Sequence, residues 1–136
     1  MTFDVLGDIN YLAVIVAALA YFAWGAIWYA PPVMGKTWQK ATGLTQEQLR
    51  PNPMVFLGTY VAYFLMAVTL AAIARSTGAS DFADGLVLGL FIGIGIVAAG
   101  IWVGGAYEQR MNLAWINMVN GLIGIIIMAV IVTVWD

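Results

Sequence analysis

Four long stretches of this chain contain no charged side chain: residues 9–35, 51–74, 85–107 and 111–135. Each exceeds the roughly 20 apolar residues that a helix needs to cross a hydrocarbon core of about 30 Å. Their apolar residues run on without the period-two alternation of a membrane strand, and in lipid the backbone must satisfy its own hydrogen bonds. Helices follow. The expected fold is all-α: a single transmembrane domain over 1–136, a four-helix bundle with spans near 10–30, 54–74, 84–105 and 113–134. Composition agrees. Hydrophobic residues make up 63% of the chain and charged residues 9%, against about 45–50% and about 25% in a soluble domain.

Four spans put both termini on one side. The 31–53 loop and the turn after span 3 carry Lys36, Lys40, Arg50 and Arg110, four of the five basic residues. The other side has Arg75 with Asp4, Asp8, Asp81, Asp84 and Asp136. The positive-inside rule then places the 31–53 loop in the cytoplasm and both termini on the non-cytoplasmic side. The segment 1–10 has two aspartates and no basic residue, which is not the pattern of a secretory signal.

Local signals mark the turns. Pro31-Pro32 stops span 1, and residues 33–43 read as a short amphipathic interfacial segment ended by Gly43. Thr45-Gln46-Glu47-Gln48 fits a capping box, which suggests a second short surface helix. Pro51 and Pro53 open span 2, and Gly78 closes it. Ser80 is placed to cap span 3.

Much chemistry is excluded by absence. There is no His and no Cys, hence no thiolate or imidazole ligand and no His general base. No charged residue falls in the middle of a span, which argues against a charge-driven pump or an acid-lined pore. The expectation is a non-enzymatic protein with no cofactor, no metal and no nucleic-acid partner. Its partners would be membrane lipids and either further copies of itself or another membrane protein.

Three residue sets remain. Gly85, Gly89 and Gly93 share one helix face at i, i+4, i+8, and Gly100 with Gly104 forms a second pair. Such spacing lets helix backbones approach closely, either within the bundle or in an oligomer interface. Ala13 with Ala17, and Gly121 with Gly124, are candidate surfaces to receive these glycines. Asn112, Asn117 and Asn120 give span 4 a polar edge, and Tyr21, Trp24 and Trp28 give span 1 an aromatic face that Tyr60 and Tyr63 could meet. These residues are either packing and interhelical glue or the lining of a path for an uncharged or weakly polar solute. Glu108 is expected to pair at the surface with Arg110, Lys36 or Lys40.

The third set is Gly25-Ala26-Ile27-Trp28-Tyr29-Ala30-Pro31 followed by Met34-Gly35-Lys36-Thr37-Trp38 and the Thr45–Gln48 segment. It resembles the signature of a family of short bacterial four-span membrane proteins known only as a domain of unknown function. The resemblance implies a four-helix bundle in a bacterial inner (plasma) membrane and brings no activity. Read from the residues themselves, the motif is a membrane-exit device. Trp28 and Tyr29 lie at headgroup level, Pro31 turns the chain and Gly35 allows a close turn. Lys36 reaches lipid phosphate and Trp38 re-enters the interface. Function is expected through assembly, as a homo-oligomer or an accessory subunit, with a small permease or channel as the alternative.

Overall fold

The computed structural model describes residues 1–135. Among them the chain is mostly helical, with no strand. A 3₁₀ turn, Phe3–Gly7, precedes α1 (Tyr11–Trp28), α2 (Lys36–Thr42) and α3 (Pro53–Thr77). The third span is α4 (Phe82–Ile92) and α5 (Ala99–Tyr107), joined through a π-helical turn, Gly93–Ala98. The chain ends in α6 (Met111–Val134). Four helical stretches are long and apolar enough to cross a membrane: Tyr11–Trp28, Pro53–Thr77, Phe82–Tyr107 and Met111–Val134. The centre of the bundle is α6. Half of its apolar window is buried, against 17% for the third span, and α1, α3 and α4–α5 all pack on it.

The ends of the helices follow from their sequences. Asn10 caps α1 by accepting from the N–H groups of Leu12 and Ala13, while its amide donates to the Trp135 carbonyl (2.8 Å). The start of α1 therefore touches the end of α6. Asn52 caps α3 ahead of Pro53, where a missing N–H costs nothing. Gly43 (φ 69°) and Gly78 (φ 76°) end α2 and α3 in the left-handed conformation that glycine tolerates best.

Two local expectations need correction. The cap of the third span is Asp81, which accepts from the Asp84 N–H, while Asp84 reaches back to the Ser80 N–H. The reciprocal pair sits one residue later than Ser80 alone suggests. The Thr45 and Gln48 side chains do make both capping-box bonds, but they close a single turn rather than a helix, because Pro51 follows too soon for another turn to form.

Helix α1 exits through a second π turn, Pro31–Gly35. Ala30 is extended (φ −66°, ψ 145°), as a residue before proline must be. Neither proline has an N–H, and the Gly35 N–H reaches back to the Ala30 carbonyl (2.9 Å). A Cβ on Gly35 would overlap the Tyr29 and Ala30 carbonyl groups. This glycine is required by close approach of backbone to backbone.

Candidate functional site

The π turn in the third span decides which glycines face the bundle. In an uninterrupted helix Gly100 would lie within about 20° of Gly93, since seven residues make about 700° of rotation. The Ala99 N–H instead bonds the Ile94 carbonyl five residues back. The extra residue turns everything after it by about 100°. The positions facing α6 become Gly85, Gly89, Gly93, Ala98 and Gly105, all buried. Gly100 and Gly104 are exposed, and a Cβ on either would meet nothing within 4 Å.

The two glycine sets thus part company. Gly85 rests on Val130 and Thr133, Gly89 on Ile126 and Ala129, and Gly93 on Leu122 and Ile125 of α6. These are intrachain helix-packing contacts. Their receiving surface is not Gly121 and Gly124, which serve other neighbours. Tyr21 fills the space over Gly124, where a Cβ would overlap its ring, and Val97 and Ile101 cover Gly121. Gly105, which sequence periodicity leaves out, packs on Ala114. Only a π turn brings it inward.

The seam between α1 and α6 joins the other two sets. The Trp24 indole N–H donates to the Asn120 carbonyl oxygen (3.3 Å), and the Trp28 indole N–H to that of Ile116 (3.1 Å). The Tyr29 hydroxyl donates to the Asn117 side-chain oxygen (2.6 Å). A helix carbonyl has a second lone pair to offer such a donor. Each bond of this kind in a membrane bundle contributes about 0.6–2 kcal/mol. Burial pushes the Tyr29 phenol up to about 12, with the nearby Tyr63 adding to the shift, so it remains a neutral donor. Tyr21 stacks on Tyr63 of α3 (4.0 Å between centroids, 19° between planes). This ties the third helix to the seam.

The expected polar lining is therefore only partly assembled. Asn117, Asn120, Tyr21 and Trp24 share the seam, but Asn112 is exposed and accepts from the Leu113 N–H at the start of α6. Asn120 is 7% exposed and its side-chain oxygen has no partner among the described residues. Trp28 and Tyr29 turn their polar atoms inward to α6. Glu108 forms no ion pair with Arg110, Lys36 or Lys40 among the described residues. It borders a small cleft of about 140 Å³ together with Arg110 and Asn117.

The rest of the exit motif shapes a larger cleft. Trp38 meets the Tyr29 ring edge-on (5.3 Å, 64°). These two rings, with Pro31, Gly35 and Lys36, form one wall of an open space of about 400 Å³. Gln39, Gln46, Leu49, Arg50 and Pro51 complete its lining. Arg50 and Gln46 carry no spacing signal that would link them to Lys36, and only the folded loop brings them there.

Residues 12–133 match the sequence profile of a family described as a protein of unknown function, DUF1761. No curated protein and no solved structure matches the chain. With four membrane-length apolar helical stretches, three of them packed around α6, and this match over most of its length, the chain is an integral membrane protein that belongs to the DUF1761 family.

Proposed function

We propose that this protein is non-enzymatic and works by assembling with copies of itself through the outer face of α5, in a bacterial inner membrane with the 31–53 loop on the cytoplasmic side. The observation that carries this is the rotation at Gly93–Ala98. It turns Gly100 and Gly104 out of the bundle and leaves open space above both. A small-xxx-small pair on an outer face gives two helices room for close van der Waals contact, the main attraction available in lipid. Such a pair is self-complementary about a two-fold axis. The charge asymmetry of the loops supports the orientation.

The test is the mass of the particle extracted in mild detergent, read by native mass spectrometry. The wild type is expected as a homo-oligomer, and Gly104→Leu as a folded monomer. Gly58→Leu, at another open position on α3, is expected to leave the oligomer intact. A monomeric wild type, an unchanged Gly104→Leu oligomer, or a complex held only by other proteins overturns the proposal.

The permease alternative keeps one supporting feature, the unpartnered Asn120 oxygen inside the bundle. The other proposed lining groups are engaged with the protein itself or, in the case of Asn112, lie on its surface. Solute flux into liposomes that is abolished by Asn120→Leu would favour it.

A further inference from the structure

The cleft at the end of α1 has the chemistry of an anion site. Lys36 and Arg50 both line it, and none of the residues lining it is acidic. Among the described residues neither cation has an ion-pair partner, although acidic side chains outnumber basic ones in the chain, seven to five. Gln39 and Gln46 also line the cleft, and each side-chain amide has two N–H donors.

The frame around these groups is fixed. Tyr29 is tied to Asn117 of α6, Trp38 is packed on Tyr29, and the Thr45–Gln48 turn that carries Gln46 is closed by two hydrogen bonds. Gly35 holds Lys36 against the end of α1 through the Ala30 carbonyl. The cleft is about 400 Å³, within the roughly 300–1,000 Å³ range of small-ligand sites. It lies where the chain leaves the apolar span Tyr11–Trp28, the depth at which lipid phosphate groups occur. An arginine fork and a lysine point charge together suit a phosphate, with the amides taking its remaining oxygens.

We infer that Lys36, Arg50, Gln39 and Gln46 form a binding site for a phosphate-bearing anion, supplied either by an anionic phospholipid headgroup or by soluble phosphate. Tyr29 and Trp38 wall the site and give the glycerol or acyl portion of a lipid an apolar surface.

The test uses the full-length protein in nanodiscs of phosphatidylcholine mixed with phosphatidylglycerol. Lipids retained on the ejected protein are counted by native mass spectrometry. The wild type is expected to retain phosphatidylglycerol in preference to phosphatidylcholine. The preference should fall roughly fivefold for each of Lys36→Gln and Arg50→Gln. Lys40→Gln and Arg110→Gln, which remove cations outside the cleft, should leave it unchanged. Inorganic phosphate at millimolar concentration separates the sources. If it binds the wild type, is lost in Lys36→Gln/Arg50→Gln and displaces the lipid, the anion is soluble phosphate. If lipid retention is unaffected by phosphate, the ligand is the headgroup. Absence of both a lipid preference and phosphate binding overturns the inference. So does an equal loss in the Lys40→Gln and Arg110→Gln variants, which would reduce the effect to general surface charge.

Discussion

Replacing Gly89 with alanine tests the packing of the third span most directly. The new Cβ would lie 2.7 Å from the Ile126 Cα, 3.2 Å from the Ile126 Cγ1 and 3.3 Å from the Ala129 Cβ. Ordinary contact begins near 3.4 Å. The first of these atoms is backbone and cannot rotate away, so α4 must move off α6 by about 0.7 Å, the difference between 3.4 and 2.7 Å. A gap of that size forfeits a quarter to a half of each contact along the seam, and each contact is worth about 0.1–0.2 kcal/mol. Over some tens of atom pairs the loss reaches about 2 kcal/mol, within the range of about 1–3 kcal/mol for overpacked cores. That is roughly a thirtyfold change in the folding equilibrium. Gly104→Ala, compared in bicelles dilute enough to keep single chains apart, provides the control. It meets nothing within 4 Å and should cost nothing, or gain up to about 1 kcal/mol from helix propensity. The assay is SDS-titrated unfolding in bicelles, followed by tryptophan fluorescence. Equal destabilisation by both substitutions, or none by either, would refute the assignment of inward and outward glycines.

Other substitutions probe the seam and the exit turn. Gly35→Ala should destabilise the exit from α1 by at least about 1–3 kcal/mol, because its Cβ meets carbonyl groups rather than a movable side chain. Protection of the Trp38 amide from hydrogen exchange should fall with it. Asn117→Leu takes the acceptor from the Tyr29 hydroxyl and should cost about 1–3 kcal/mol. Asn120→Leu removes an oxygen without a partner among the described residues and should be neutral or stabilising in the same unfolding assay. Burial, with Tyr63 nearby, pushes the Tyr29 phenol from its ordinary 10.0 up to about 12 in the folded protein. Its contribution to stability is present below pH 10 and is lost as pH rises through 12. Alkaline unfolding curves of Tyr29→Phe should lack that part of the decline.

How much of this architecture is legible in the sequence depends on the range of the interaction. The spans, Gly43 and Gly78 as helix ends and the proline exit after Ala30 all rest on hydropathy or on backbone chemistry within a few residues. Such terms act before any tertiary contact exists. The same holds for the capping bonds of Thr45 and Gln48, although Pro51 decides that they close a turn and not a helix.

Periodicity fails where the helix changes its own period. Gly85, Gly89 and Gly93 form one face at helical spacing and Gly100 with Gly104 a second pair, with nothing in the spacing to say that the two point apart. The π turn at Gly93–Ala98 sends the last two outward and brings in Gly105. Its competition with α-helical bonding is settled by packing on α6, a term that no local window contains. Nor does spacing show that Tyr21 lies over Gly124, or that Lys36 and Arg50 border one cleft. The sequence by itself determined four helices long and apolar enough to cross a membrane, because burying backbone in lipid permits little else. Tertiary structure decided which face of each helix is spent on the bundle and which is left for lipid, a partner or an anion. That choice depends on contacts between residues up to 125 positions apart.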